Sequence, residues 1–384
     1  MIMERNLTQY IKKDLEEKIV FITGPRQVGK TTLARSLITQ YDYFNYDLSE
    51  HRIALKESNW DRSKPLVIFD ELHKMHNWKR WLKGIYDTEG VRPRLLVTGS
   101  AKLNTYRKVG DSLAGRYFQY RLHPLDLKEV KDIYSKEEAF ARLWDCSGFP
   151  EPFFRGNAIY YKRWKRSHVD IILRQDLIDL QSIHDIQAVE TLISLLKINI
   201  GSTVSYANLA RILEKDAKTI KRWLQLLEDL YIIFKVTPYS KNITRSLLKE
   251  PKYYFYDYAM IDNNNGAKLE NIVAGSLLKE IHFLEDIYGL TGKLHFLKTR
   301  EGKEIDFLVA FDNKPTYLIE VKWSDDKPNK NFNYFRQFVD ARPIQLVKEI
   351  KREKTYSDGL EIRSLLYWLY NINLLPPELY SGRN

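Results

Sequence analysis

The chain has 384 residues, of which 44% are hydrophobic and 29% charged, and its formal net charge is +11. This length indicates two or three domains, and the apolar fraction excludes a largely disordered chain. The absence of an 18-residue apolar run argues against a membrane-spanning helix, and a single cysteine, Cys146, excludes an internal disulfide and disfavours a cysteine-based zinc site. We therefore expect a cytoplasmic protein with no membrane partner, whose basic charge suits nucleic acid.

Strands alternate with helices over the first 122 residues. This pattern predicts an α/β fold in which helices cover both faces of a parallel sheet. The predicted strands are residues 18–23, 43–48, 65–71, 94–100 and 116–122, and the predicted helices are TTLARSLITQY and WKRWLKGIYD.

The pattern changes after about residue 125. Residues 126–200 have helical periodicity with a break at 147–152, and residues 201–236 resemble a small winged-helix unit. The rest predicts a strand at YYFYD, a helix over 269–287, the strands EIDFLVAF and TYLIEVKW, a mixed helical tail, and loops at 263–266 and 324–331. The predicted domains are an ATPase core at 1–125, a helical segment at 126–200, a winged helix at 201–250 and an α/β domain at 251–384.

A glycine-rich turn, GPRQVGKT, follows the first strand and opens the first helix. It matches the P-loop pattern GxxxxGK[ST] in the context that the pattern requires. Its glycines let backbone N–H groups turn toward phosphates, and the helix N-terminus adds its dipole. Lys30 would neutralise the β- and γ-phosphates and Thr31 would ligate Mg²⁺, so the predicted cofactors are ATP and Mg²⁺. The predicted nucleotide-binding residues here are Gly24, Pro25, Arg26, Gln27, Val28, Gly29, Lys30, Thr31 and Thr32.

The apolar strand LVIFDE ends in two acids, Asp70 and Glu71. Asp70 would hold Mg²⁺ together with Thr31, and Glu71 would polarise the attacking water as a general base. A buried strand that ends in solvated acids is the alternative, and the nearby P-loop makes it the weaker one.

Two later positions complete the predicted nucleotide site. Thr98 or Ser100, at the end of LLVTGS, could sense the γ-phosphate, although an ordinary strand-end turn explains these residues nearly as well. Arg116 follows SLAG and could reach the γ-phosphate of a neighbouring subunit as a catalytic arginine. A surface arginine is the alternative.

These stretches together resemble the widespread prokaryotic AAA-type (AAA+) ATPases that have a conserved C-terminal domain of unknown function. The matching stretches are GPRQVGKTTLARSL, VIFDELHK, LLVTGSAK, SLAGRYFQYRLHPLDLKEV, SGFPEP, YYFYDYAMID, KLENIVAGSLLKE, KEIDFLVAF and LIEVK. AAA ATPases commonly form rings, so the resemblance implies a homo-oligomer in which Arg116 acts in trans. The chain departs from the family pattern at SGFPE, where the family has GGFPE, and at the aromatic strand RYFQYRL.

The strands EIDFLV and YLIEVKW place Asp306 and Glu320 where a hairpin would bring them together. Glu320 and Lys322 share a strand face, and Glu270 opens the preceding helix. This set resembles the PD-(D/E)xK restriction-endonuclease-like core, in which carboxylates bind Mg²⁺ and the lysine activates water. The alternative is a retained fold that binds without cleaving.

SYANLARIL followed by DAKTIKRWLQLLEDL predicts two helices of a winged helix-turn-helix. Lys218, Thr219, Lys221 and Arg222 would lie on the exposed face of the second helix, where they could contact DNA. Contacts with proteins, or with the ATPase core, are the alternative use of such a module.

Three functions follow from these features. The first is an ATPase that acts on DNA or nucleoprotein complexes, the second an ATP-gated metal-dependent DNA nuclease, and the third a nucleotide-dependent protein-interaction switch with slow turnover. In each of them the P-loop binds ATP, and they differ in what the rest of the chain contacts.

Overall fold

A computed structural model of the protein describes residues 3–99, 113–171, 185–240, 250–262, 264–325 and 327–376. The chain divides into two compact units. One unit comprises Met1–Pro124 with Asp229–Tyr231, and the other comprises Leu125–Glu228 with Ile232–Asn384. The four-domain division expected from the sequence stays a prediction.

The first unit is built on a five-stranded parallel sheet, as the alternation of strands and helices predicts. The strands lie in the order β2-β3-β4-β1-β5, and their bounds are β1 Ile19–Thr23, β2 Asp42–Asn45, β3 Leu66–Asp70, β4 Arg94–Gly99 and β5 Tyr117–Arg121. The three central strands are almost wholly buried, whereas the edge strand β2 is only half-buried. Residues after the carboxyl ends of β1, β3 and β4 therefore meet at one edge of this sheet.

Among the described residues, the helices that accompany this sheet are α1 Thr8–Asp14, α2 Lys30–Ser36, α3 Ser49–Lys56 and α4 Trp78–Glu89. Buried strand residues such as Phe21 and Phe69 pack against α4, whose Trp78 meets Phe21 edge-on at 5.8 Å between ring centroids. Side chains of this size contribute about 1.5–3 kcal/mol each when fully buried.

Two elements of the first unit are shorter than the sequence predicts. Helix α2 ends at Ser36, whose hydroxyl donates to the Leu33 carbonyl oxygen, so the predicted continuation to Tyr41 is wrong. Strand β2 ends at Asn45, whose side-chain oxygen accepts from the Asp47 N–H and turns the chain.

The second unit begins with helices, as the sequence predicts for residues 126–200. They are α5 Lys136–Cys146, α6 Pro150–Arg155, α7 Ala158–Ile171 and α8 Ile186–Ile198. The predicted break at 147–152 is shorter than expected because Pro150 opens α6, a position that suits its fixed φ and missing N–H.

An eight-stranded mixed sheet forms the rest of the second unit, in the order β12-β13-β11-β10-β9-β8-β6-β7. Its strands are β6 Ile233–Pro238, β7 Lys252–Phe255, β8 Gly292–Lys298, β9 Glu304–Phe311, β10 Lys314–Lys322, β11 Arg342–Val347, β12 Lys354–Thr355 and β13 Glu361–Ser364. The predicted hairpin of β9 and β10 is confirmed, with Phe307 opposite Ile319. The predicted mixed helical tail does contain two short helices, but its strands were not predicted: β11 and β13 extend the sheet beside β10.

The remaining helices of this unit are α9 Tyr206–Ile212, α10 Ala217–Asp229, α11 Asn265–Tyr288, α12 Asn331–Phe335 and α13 Leu365–Tyr370. Helix α11 starts inside the predicted loop 263–266, because the Asn264 side-chain oxygen accepts from the Ala267 N–H and caps it. Helices α9 and α10 precede the antiparallel pair β6 and β7, but β6 also pairs with β8 as part of the large sheet. The winged-helix description of this segment stays a prediction.

None of the helices in the described part of the chain is both long and apolar enough to cross a membrane.

Candidate functional site

The P-loop connects β1 to α2 and takes backbone conformations that favour glycine. Gly24, Gln27 and Gly29 have φ values of +149°, +62° and +97°. A Cβ on Gly24 would lie 2.2 Å from the Leu122 carbonyl oxygen, so a larger residue has no room there. Left-handed residues of this kind turn successive N–H groups toward one point, which is how backbone binds an anion.

Lys30 and Arg5 hold this loop from two sides. The Lys30 ammonium is buried and donates to the carbonyl oxygens of Gly24 and Pro25 at 2.9 and 2.7 Å. The buried Arg5 guanidinium donates to the Val28 carbonyl oxygen at 3.1 Å and to that of His123 at 2.7 Å. Lys30 therefore points into the loop, and Arg5 ties the loop to the segment that follows β5.

The Asp70 carboxylate accepts hydrogen bonds from three hydroxyl groups, each of which belongs to a different element. Its Oδ2 accepts from Thr31 Oγ1 at 2.9 Å and from Tyr43 Oη at 2.6 Å, while its Oδ1 accepts from Thr98 Oγ1 at 2.5 Å. Burial and the Asp70 carboxylate raise the pKa of the Tyr43 phenol well above its usual value, so this phenol stays a donor. The predicted pair Thr31 and Asp70 thus lies together at the mouth of the P-loop.

Glu71 leaves the strand in a left-handed conformation, with φ +55°. Burial raises the pKa of its carboxyl above the ordinary value; the Lys30 ammonium opposes this rise and the Asp70 carboxylate adds to it. Its Oε2 lies 3.6 Å from His73 Nε2. The group is therefore a stronger base than a solvated glutamate, and it lies near enough to the Lys30 ammonium to feel its charge.

Of the two predicted sensor residues, Thr98 contacts Asp70, and Ser100 lies outside the described residues. Arg116 lies at the opposite end of the sheet, because its carbonyl oxygen accepts from the Ile19 N–H where β1 begins. The five residues of β1 span about 16 Å, which an arginine side chain cannot bridge. Arg116 Nε instead donates to Asp87 Oδ1 at 2.8 Å.

The predicted nuclease residues of the second unit also come together. The Asp306 N–H lies 3.4 Å from Glu320 Oε2, Lys322 Nζ lies 2.7 Å from Glu320 Oε1, and Glu270 accepts from Tyr254 Oη at 2.6 Å. A further residue, Lys252, is buried beside them. Burial lowers the pKa of Lys252, but the carboxylates around it outweigh burial and raise it overall.

The Mg²⁺ site expected from Glu270, Asp306 and Glu320 stays a prediction. Within the part of the chain that the structure describes, no group of three or more histidine, cysteine, aspartate or glutamate side chains is arranged to hold a metal ion.

Helix α10 presents the predicted basic face. Lys218, Lys221 and Arg222 are exposed, whereas Ile220, Trp223, Leu224 and Leu227 are buried on the other side. The donor groups of Thr219 are used within the chain, since its N–H and its hydroxyl both donate to the Asp216 carboxylate at the start of the helix.

Sequence reasoning missed Arg5, Tyr43 and Lys252. Each acts on a partner that is distant along the chain, so no local motif contains it. Tyr43 lies within β2, which pairs with the acidic strand β3 in the register Tyr43 to Ile68. The sequence predicts a strand over 43–48 but not its neighbour in the sheet, so the contact of Tyr43 with Asp70 could not be predicted.

Comparison with known protein families divides the chain into three matched segments. Residues 16–131 match an AAA domain, residues 137–268 match a domain of unknown function (DUF8612), and residues 265–366 match another domain of unknown function (DUF4143). The P-loop and the strands β1 to β5 lie inside the segment that matches the AAA domain.

The chain is also similar to several uncharacterised proteins. One from Mycobacterium tuberculosis is 26% identical over 333 residues, which cover 84% of this chain and 74% of the relative. One from Methanocaldococcus jannaschii is 27% identical over 360 residues, covering 83% and 79%. One from Haemophilus influenzae is 22% identical over 409 residues, covering 95% and 98%.

Among solved structures, a variant of RuvB from Thermotoga maritima is 18% identical, with a TM-score of 0.34 over 60% of this chain and 89% of that chain. AMPPCP-bound DnaA from Aquifex aeolicus is 14% identical, with a TM-score of 0.31 over the same shares.

Replacing Tyr43 with phenylalanine removes one of the three hydroxyl donors to Asp70. We expect a loss of about 1 to 2 kcal/mol in the free energy of unfolding, because a buried carboxylate loses a hydrogen bond. Urea unfolding followed by circular dichroism measures this loss. Tyr41→Phe is the matched control, since the Tyr41 hydroxyl has no partner among the described residues, and it should change stability by less than about 0.5 kcal/mol. Equal losses in the two variants would contradict the assignment.

Proposed function

We propose that the chain binds ATP with Mg²⁺ and hydrolyses it, and that this turnover acts on DNA or nucleoprotein complexes. The observation that carries the proposal is the contact of Asp70 with Thr31, directly beside Glu71 and Lys30. A P-loop alone indicates phosphate binding, whereas this contact adds a metal-ligand pair and a base.

The P-loop residues would bind the triphosphate. The left-handed positions Gln27 and Gly29 turn backbone N–H groups inward, and α2 begins directly at Lys30. Lys30 already faces oxygen acceptors, the Gly24 and Pro25 carbonyls, and phosphate oxygens are stronger acceptors because they carry charge. Its ammonium would therefore hold the β- and γ-phosphates.

Thr31 and Asp70 fit Mg²⁺, because hydroxyl and carboxylate oxygens are the ligands that this ion prefers. When bound, Mg²⁺ neutralises charge on the β- and γ-phosphate oxygens. Thr98 and Tyr43 fix the Asp70 carboxylate from its other sides, which keeps it turned toward Thr31.

Glu71 would take the proton of the attacking water. Its raised pKa suits this role, since a base works best when its pKa lies near the working pH. Lys30 would hold the phosphates at the same time, so the base and the electrophile would be positioned from the carboxyl ends of β3 and β1, on either side of β4.

Glu71→Gln should lower kcat for ATP hydrolysis by about 100-fold or more while ATP affinity stays near wild type, because the amide cannot accept the proton. Lys30→Ala should lose nucleotide affinity instead. A coupled phosphate-release assay and binding of a fluorescent ATP analogue separate the two effects. Glu57→Gln, an exposed glutamate at the end of α3, is the control. Unchanged turnover in Glu71→Gln would exclude Glu71 as the base.

Arg116 would complete the site of a neighbouring subunit. Its position at the far end of β1 from its own P-loop supports action in trans, as does its half-buried place beside Asp87 at the surface of the unit. A guanidinium at the γ-phosphate stabilises charge that develops as the phosphoryl group transfers. The proposed active form is therefore a homo-oligomer.

Mixing two inactive variants tests this arrangement. Arg116→Ala alone should lose on the order of 1,000-fold in kcat, and Lys30→Ala alone should also be inactive. Equimolar mixing should restore part of the activity, because a Lys30→Ala subunit can supply Arg116 to an intact P-loop. Arg92→Ala, an exposed arginine paired with Glu16, is the control and should stay active. Failure of the mixture to recover any activity would rule out Arg116 in trans.

The basic face of α10 supports DNA as the partner. Lys218, Lys221 and Arg222 are exposed, and no other described residue forms an ion pair with any of them. Exposed cations on the first turns of a helix are placed to contact phosphates. The net charge of +11 favours the same partner.

Replacing Lys218, Lys221 and Arg222 together with alanine should weaken DNA binding and reduce the slope of log affinity against log salt by about 2 to 3. Fluorescence anisotropy with duplex, forked and single-stranded DNA measures this. The control is Lys12, Lys13 and Lys56 changed to alanine, which removes equal charge from exposed positions of the first unit. If wild type binds none of these DNAs and its ATPase rate ignores them, the protein-interaction switch replaces this proposal.

A further inference from the structure

Lys252 is a fully buried lysine among the carboxylates of the predicted nuclease site. Its relative exposure is 0%, although a lysine is almost never fully buried unless it is paired. The residue lies at the start of β7, and its ammonium points to α11 and β9. It therefore occupies the position between carboxylates where a cation is required.

The ammonium forms two ion pairs. Lys252 Nζ lies 2.6 Å from Glu304 Oε1 on β9 and 3.3 Å from Glu270 Oε1 on α11. The same Glu270 oxygen accepts from Tyr254 Oη, two residues along β7 from Lys252. Both carboxylates thus have a positive partner that belongs to the protein.

The other two carboxylates have protein donors as well. Glu320 Oε1 accepts from Asn329 Nδ2 at 2.6 Å and from Lys322 Nζ at 2.7 Å. Asp306 Oδ2 accepts from the Val321 N–H at 2.8 Å. Each of the four carboxylates therefore has a hydrogen bond or ion pair from the chain itself.

Lys298 adds a third positive charge. Its Nζ lies 2.8 Å from Glu304 Oε2, on the opposite side of that carboxylate from Lys252. With every group counted as ionised, the four carboxylates and three lysines of this face give four negative and three positive charges, a formal net charge of −1. A Mg²⁺ site needs several oxygens that are free to turn toward one point, and a second cation there would be repelled by the buried ammonium.

We propose that the Lys252 ammonium is the resident cation of this cluster, so the face takes no divalent metal and cleaves no phosphodiester. The PD-(D/E)xK-like set of Glu270, Asp306, Glu320 and Lys322 then serves to join β7, α11, β9 and β10. This inference concerns the second unit only and does not depend on the proposed ATPase.

Manganese binding to the full chain, measured by electron paramagnetic resonance without nucleotide, tests the inference. Wild type and Asp306→Asn should give the same Mn²⁺ isotherm, because Asp306 is not a metal ligand. Labelled single-stranded and duplex DNA should stay intact with Mg²⁺ or Mn²⁺. Cleavage or Mn²⁺ binding that is present in wild type and lost in Asp306→Asn would overturn the proposal.

Removing the resident cation gives the complementary test. Lys252→Gln should gain a Mn²⁺ site at this face that is missing from the wild-type isotherm, and Asp306→Asn in the same chain should abolish the gain. Lys298→Gln is the matched control, since it removes a lysine from the same Glu304 without opening the space between Glu304 and Glu270.

The Mn²⁺ isotherms of Lys252→Gln and Lys298→Gln each support or overturn the assignment of Lys252 as the resident cation. A folded Lys252→Gln variant that gains no Mn²⁺ site, or a Lys298→Gln variant that gains the same site, would overturn the assignment of Lys252. If Lys252→Gln does not fold, the comparison of wild type with Asp306→Asn still decides whether a metal binds. The ATPase rate of Lys298→Gln should equal that of wild type, which would show that a change in Mn²⁺ binding at this face does not arise from the P-loop.

Discussion

The first unit depends on the charge of one buried carboxylate. Asp70 is only 6% exposed at the end of β3, where burying an ionised carboxylate without hydrogen-bond donors would reduce the stability of the fold. Hydroxyl groups of α2, β2 and β4 donate hydrogen bonds to this carboxylate, which therefore links β3 to these three elements. The same bonds hold the P-loop helix against the sheet, and the order β2-β3-β4-β1 brings these donors within reach.

The sequence predicted the strands of the first unit and the loop between β1 and α2, because the P-loop is contiguous and the strand pattern is strongly periodic. It could not predict Tyr43 or Arg5, whose partners are set by strand order and by contacts across more than 20 residues. In the second unit, the hairpin of β9 and β10 was predictable from two apolar runs, and Asp306 was correctly placed beside Glu320. The later strands were missed because short segments such as β13 gain their structure from pairing with β11 rather than from their own pattern.

The two units neutralise buried acids in different ways. Around Asp70 the donors are neutral hydroxyls, which leave the negative charge in place for a cation from solution. Around Glu270 and Glu304 the donor is the ammonium of Lys252, which cancels charge within the protein. Neutral donors suit a site that exchanges a ligand, whereas an internal ion pair suits a permanent junction between strands and a helix.

Arg5 couples the local stability of the P-loop to that of the N-terminal segment. Its guanidinium joins Val28 in the loop to His123, 118 positions from Arg5 along the chain. Local unfolding of the N-terminal segment would therefore remove the Arg5 hydrogen bond that holds the loop. A ligand that needs the ordered loop would then bind more weakly, because part of its binding free energy would be used to refold this segment. Thermodynamic linkage makes the effect mutual: a ligand that orders the loop also protects the N-terminal segment from proteolysis and amide exchange.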